Sequence, residues 1–243
     1  MTPTRTVGPL DARRGSTGGV ESAVVLLPLG VCIGLLALVW PSPGVTTLAL
    51  AAGLLVPGVA TAALLRRRPR PVTAADAVTL GRVALTGVVA TATVLVLAGE
   101  LPGRGWALAA VVGLALALDA ADGYVARRTG TASQAGARLD MESDAALLLV
   151  LSVLAGPTLG WWVIAIGAMR YLFVLASWVR PALRGPLAPR GWRRVVAALQ
   201  GIALVAVLVP VVPVALAGAA CVVAVLLLAG SFVQDVVDLE TRA

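Results

Sequence analysis

The chain has 243 residues, of which 59% are hydrophobic and 13% are charged, and its mean hydropathy of +0.97 is far above that of a soluble domain. The net charge of +7 comes from 19 basic residues, all of them arginine, against 12 acidic ones. This charge follows the expected membrane topology, so we predict no nucleic-acid partner. Because histidine is absent, imidazole bases and histidine-ligated metal sites are excluded.

Long apolar stretches predict eight membrane-spanning helices, since about 20 residues are needed to cross a bilayer. We place them at 21–40, 44–65, 75–98, 106–127, 135–155, 159–179, 193–210 and 213–234. The predicted fold class is all-α, a polytopic membrane helix bundle. Along the chain we expect a disordered tail at 1–20, an N-terminal hairpin at 21–65, a basic linker at 66–74, a six-helix membrane domain at 75–235 and a short tail at 236–243.

The arginines indicate the orientation of this bundle. With eight spans, only Arg104 falls clearly on the side opposite to the other loop and tail arginines. The positive-inside rule then places both termini in the cytoplasm of a multi-pass cell-membrane protein, with residues 99–105 outside. The hairpin at 21–65 carries a single acid, Glu21, so we expect it to have a structural or docking role.

Four aspartates lie within the otherwise apolar region 106–155, namely Asp119, Asp122, Asp140 and Asp144. A carboxylate at membrane depth costs roughly 2.5 to 3.5 kcal/mol, so a chain that keeps four of them needs compensation, most simply a bound cation. The first two are three residues apart and the last two are four apart, which places each pair on one face of a helix. The polar residues 128–134 predict a turn between these two helices.

Four carboxylates without histidine or cysteine form an all-oxygen site. Such a site suits Mg²⁺ or Mn²⁺ rather than zinc, and its position near one membrane surface favours two-metal chemistry at phosphorus. Gly123, Ala126 and Gly136 share these helix faces and leave room for a bulky ligand, and Arg127 lies beside them.

The spacing Asp-x2-Asp-Gly-x2-Ala-Arg-x8-Gly-x3-Asp-x3-Asp is met at every fixed position. It resembles the signature of the CDP-alcohol phosphotransferases, and the resemblance covers about residues 72–235. The Arg- and Ala-rich composition is typical of a high-GC bacterium. The resemblance implies a six-helix catalytic unit that transfers a substituted phosphate group from a CDP-linked donor to an alcohol, with release of CMP. A homodimer is compatible with this family.

The resemblance also implies roles for individual residues. Asp119, Asp122, Asp140 and Asp144 would bind two ions, Mg²⁺ or Mn²⁺, and Asp144 would also deprotonate the acceptor hydroxyl. Contacts to the CDP moiety would come from Thr79, Asp76, Gly123, Ala126, Arg127 and Gly136. An N-cap role for Asp76 is equally compatible with the sequence.

Arginines outside the motif are candidates for phosphate or acceptor contacts. Arg170 lies in an apolar span, where it could pair with one of the aspartates or contact a substrate phosphate. Arg193 and Arg194 end a basic loop at 180–194 and could contact phosphate, or could only contribute positive-inside charge. The resemblance also bears on the acceptor, because family members with phosphorylated acceptors tend to carry a cation after the last aspartate, whereas Ala145 follows Asp144 here.

Several functional alternatives stay open. CDP-diacylglycerol with a polar alcohol acceptor is our first choice, and a CDP-alcohol donor with a diacylglycerol-like lipid acceptor is the second. A membrane cation carrier or channel would also place acids within spans, although here they lie near one face. A catalytically inactive scaffold is a further alternative, weakened because no signature position is lost.

Overall fold

A computed structural model of the protein describes residues 29–65, 74–129, 134–185 and 191–241. In these ranges the structure contains helices and no strands, so the all-α prediction is confirmed. The helices are α1 (Leu29–Val39), α2 (Pro43–Leu65), α3 (Ala74–Leu97), α4 (Trp106–Thr129), α5 (Gln134–Leu159), α6 (Ile164–Val179), α7 (Gly191–Leu208) and α8 (Val214–Glu240). Short 3₁₀ turns at Trp161–Val163 and Pro181–Arg184 precede and follow α6.

The helices are apolar on most of their surface, as expected for a bundle in lipid. Three described segments are long and apolar enough to cross a membrane, namely Met141–Leu159, Trp161–Val179 and Val214–Glu240. The other predicted spans correspond to apolar helical segments of 10 to 17 residues. This architecture is that of an integral membrane helix bundle.

The central core is formed by buried side chains of α3, α4, α5, α7 and α8. Val112 of α4, Leu151 of α5, Leu204 of α7 and Cys221 of α8 are all at most 1% exposed. Helix α6 approaches α5 closely at Gly167, where an added Cβ would lie 2.6 Å from the backbone nitrogen of Leu149. Small residues at such crossings allow membrane helices to pack closely.

The turns α3–α4 and α7–α8 meet at one end of the bundle. Arg104 donates hydrogen bonds to the carbonyl oxygens of Val207, Val209 and Val212, at 2.8, 2.7 and 2.5 Å. The last carbonyls of a helix have no partner within the helix. Arg104 therefore satisfies the Val207 carbonyl at the end of α7 and two carbonyls of the connection that follows it.

At the opposite end of the bundle, two ion pairs connect α8 with the region between α6 and α7. Arg180 and Arg193, near the α6–α7 connection, contact Glu240 and Asp235 of α8 respectively. Helix α8 therefore continues to Glu240, beyond the predicted end of the last span at 234. These pairs connect the last turns of α8 with the α6–α7 connection and with the first turn of α7.

Helices α1 and α2 pack against α3 as a hairpin. Leu36 of α1, Ala49 of α2 and Leu95 of α3 form a small buried cluster. The hydroxyl of Thr91 in α3 donates to the carbonyl of Ala49 at 3.2 Å and lies 3.3 Å from the Cys32 sulfur of α1. The structural or docking role that we expected for this segment stays a prediction.

Candidate active site

Asp144 contacts an arginine from a different helix. The Arg82 side chain of α3 is fully buried, and its Nη1 lies 3.1 Å from Oδ1 of Asp144 in α5. The Asp144 side chain is 38% exposed, so the surrounding helices enclose it only in part. Thr86, one turn further along α3, donates its hydroxyl to the Arg82 carbonyl at 3.0 Å.

The other three signature aspartates lie on helices whose backbone is described. Asp119 and Asp122 belong to the last turns of α4, which continues to Thr129, and Asp140 belongs to the second turn of α5. Only residues 130–133 separate the two helices, so the aspartates belong to the same end of the bundle. The structure thus has a helix on each side of residues 130–133, as predicted, while the approach of the aspartates to one another stays a prediction.

Most predicted ligands lie outside the described side chains. This group comprises Asp76, Thr79, Asp119, Asp122, Gly123, Ala126, Arg127, Gly136, Asp140 and Arg194. Among the side chains that are described, no three acidic or cysteine residues cluster as a metal site. The metal ligands thus remain a prediction, in which Asp144 is the one member with a described contact.

Arg170 contacts Glu142, and not one of the aspartates, among the described side chains. Its Nη2 donates a 2.5 Å hydrogen bond to Oε1 of Glu142, and both side chains are partly exposed. Glu142 is two residues from Asp144, which places the two about 160° apart around α5. The pair therefore lies on the α6 side of α5, whereas Asp144 faces α3.

Arg193 begins α7 and contacts Asp235 of α8, with side chains only 24% and 12% exposed. This pair joins two adjacent helices at the end of the bundle that carries Asp144. The position favours a structural contribution by Arg193, because a side chain held by a buried carboxylate is less available for a substrate phosphate.

Comparison with known proteins identifies the family of the chain. Residues 72–233 match the CDP-alcohol phosphatidyltransferase family. The chain belongs to this family. The CDP-alcohol phosphatidyltransferases are transferases that use CDP-alcohol donors and alcohol acceptors, so the protein is a membrane transferase of phospholipid synthesis. No curated protein and no solved structure is similar enough to the chain to count as a match.

The phosphatidyltransferase match includes α3 to α7 and most of α8, and it excludes the α1–α2 hairpin. All four signature aspartates and Arg82 lie within it. Membership in a transferase family also favours an enzyme over the cation carrier that the acidic residues alone left open.

Arg82 follows Asp76 and Thr79 in the segment that resembles the family, but the sequence analysis assigned it no contact. A signal was present, because Arg82 is the single charge between 77 and 99 in an apolar segment, and such a charge normally faces a partner. The identity of that partner required the packing of α3 against α5.

Proposed function

We propose that the protein transfers the phosphatidyl group of CDP-diacylglycerol to a polar alcohol and releases CMP. The observation that supports this most directly is Asp144, the last aspartate of the signature, in contact with Arg82 while its side chain stays 38% exposed. A partly exposed carboxylate whose orientation is set by an ion pair is suited to accept a proton from a bound hydroxyl.

The reaction is a displacement at phosphorus. The acceptor oxygen forms a bond to the phosphorus of the phosphatidyl group, the bond from this phosphorus to the bridging oxygen breaks, and CMP leaves with that oxygen. The hydroxyl proton passes to a carboxylate oxygen of Asp144. Arg82 orients this carboxylate, and its positive charge compensates a negative charge in an apolar bundle.

The acidic donor set fits divalent cations. Asp119, Asp122, Asp140 and Asp144 supply only oxygen ligands, which Mg²⁺ and Mn²⁺ prefer, and the short interval between α4 and α5 supports a shared site for them. Two bound ions would neutralise charge on the phosphate oxygens and on the leaving CMP. For the CDP moiety we propose contacts from Asp76, Thr79, Gly123, Ala126, Arg127 and Gly136.

For the acceptor we propose a polar alcohol without phosphate. The described cation on the α6 side, Arg170, is already neutralised by Glu142, and Ala145 follows Asp144 where a cation would favour a phosphate. Arg170 and Arg194 are retained as possible acceptor contacts, and Arg193 is assigned to the contact with Asp235. The arginine distribution supports a site at the cytoplasmic face of the cell membrane.

The test is CMP release by the purified full-length protein. CDP-diacylglycerol is offered with a panel of alcohols with and without phosphate, and a second arm offers CDP-alcohols with diacylglycerol. We expect CMP only in the first arm. Release only in the second arm would assign the donor and acceptor in the opposite way, and no release in either arm would refute the proposed function.

A further inference from the structure

The α1–α2 hairpin lies outside the family match, yet it makes the closest helix contact of α3. An added Cβ at Gly87 in α3 would overlap the carbonyl oxygen of Gly53 in α2 and would lie 2.9 Å from Cγ of Pro57. At Gly53, an added Cβ would lie 3.2 Å from the Gly87 carbonyl oxygen. The two helix backbones therefore approach closely at these glycines, and the Thr91 and Pro57 side chains pack beside the contact.

The hairpin contact and the active-site contact lie on opposite sides of α3. Gly87 and Thr91 follow Arg82 by five and nine residues, which rotates them by about 140° and 180° around the helix axis. Arg82 faces Asp144 of α5 on one side, while Thr91 contacts Ala49 and Cys32 of the hairpin on the other. Helix α3 is thus held between the hairpin and α5.

We infer that the hairpin is a positioning element of the active site, which holds α3 against α5 so that Arg82 stays in contact with Asp144. The inference rests on the proposed function of Asp144. A Cβ at Gly87 cannot be accommodated by side-chain rotation, because the Gly53 carbonyl that it meets is backbone. The helices must separate, and a displacement near 1 Å at a catalytic group can lower a rate by about 10²-fold.

The experiment is a double-mutant cycle with Gly87→Ala and Arg82→Lys in the full-length protein, scored by CMP release per donor-binding site. In the wild-type background we expect Gly87→Ala to lower the rate by about 10-fold or more. In the Arg82→Lys background, where the contact with Asp144 is already altered, we expect a further loss of less than about 2-fold. Equal losses in both backgrounds would show that the hairpin acts independently of Arg82 and would overturn the inference.

Gly58→Ala is the matched control, because an added Cβ at this position of α2 meets no atom within 4 Å. It should keep the wild-type rate. If Gly87→Ala does not fold, Thr91→Val replaces it in the cycle, since this variant removes the hydroxyl contacts of α3 with the hairpin and keeps the side-chain volume.

A thermal-unfolding cycle with the same variants separates this inference from the proposed function. If the wild-type protein releases no CMP, the proposed function fails, and the coupling is read from the melting temperatures. Non-additive shifts then support the positioning of Arg82 by the hairpin, and additive shifts overturn it.

Discussion

The guanidinium of Arg82 in α3 contacts the carboxylate of Asp144 in α5 at 3.1 Å, and Arg82 is completely buried. The contact joins the first helix of the matched region to the helix that carries the last signature aspartate. It gives Asp144 a fixed orientation before any substrate is bound.

We predict that Arg82→Met lowers the rate of CMP release by about 10²-fold, because the catalytic carboxylate loses its orientation. Arg82→Lys keeps the charge with a shorter reach and should retain more activity. The loss of stability should stay below the roughly 3 to 5 kcal/mol of a fully buried pair, since Asp144 is 38% exposed. Activity and melting temperature are measured on the same preparations. A fully active Arg82→Met protein would contradict the role assigned to this contact.

Replacement of Asp144 should affect turnover alone, whereas replacement of an α4 aspartate should affect both turnover and donor binding. Asp144→Asn should lower CMP release by at least about 10²-fold while the protein still binds CDP-diacylglycerol, because three carboxylates remain. Asp119→Asn or Asp122→Asn should lose donor binding as well as turnover. Donor binding and single-turnover rates distinguish the two classes. If Asp144→Asn keeps near-native turnover while Asp140→Asn is inactive, the roles of these two residues are reversed.

The proposed metal site predicts a strict cation requirement. Because all of its ligands are carboxylates, activity should disappear in EDTA and return with Mg²⁺ or Mn²⁺. Ca²⁺ should support it poorly, since its larger and more flexible coordination shell fits a phosphoryl-transfer site less well. CMP release is titrated with each cation after chelation. Full turnover in the presence of chelator would exclude the two-metal proposal.

Glu142 should influence which acceptors are used. The Glu142–Arg170 pair is partly exposed, so its loss should change stability by about 1 kcal/mol or less. Glu142→Gln leaves the Arg170 charge uncompensated, and we expect the rate with phosphorylated alcohols to rise relative to uncharged ones. The double variant Glu142→Gln, Arg170→Gln is the control and should lose this gain. An unchanged acceptor preference in Glu142→Gln would remove Arg170 from the acceptor site.

The arginine distribution predicts the membrane orientation. A cysteine replacing Arg68 should react with an impermeant thiol reagent only after permeabilisation, whereas one replacing the exposed Glu100 should react in intact cells. The native Cys32 and Cys221 are 0% exposed and should add little background. Labelling of position 68 in intact cells would reverse the proposed topology.

The sequence by itself determined the all-α class, the approximate bounds of the helices and the aspartate signature. These features are local, because hydropathy over about 20 residues and the helical repeat are read within one segment. The start of α4 was predicted at residue 106, where the structure has it. Helix α8 is longer than predicted, and its last turns contact Arg180 at the end of α6 and Arg193 of α7.

Only the tertiary structure decided which helix faces meet, and hence that Arg82 is the partner of Asp144, that Glu142 is the partner of Arg170 and that α2 packs against α3. In a soluble protein, the polar face of a helix indicates the solvent side and the apolar face indicates the core. In a bundle in lipid, both the lipid-facing and the core-facing sides of a helix are apolar. The contacts therefore depend on close backbone approaches, such as Gly53 with Gly87, and on charges far apart in sequence, which no single segment reveals.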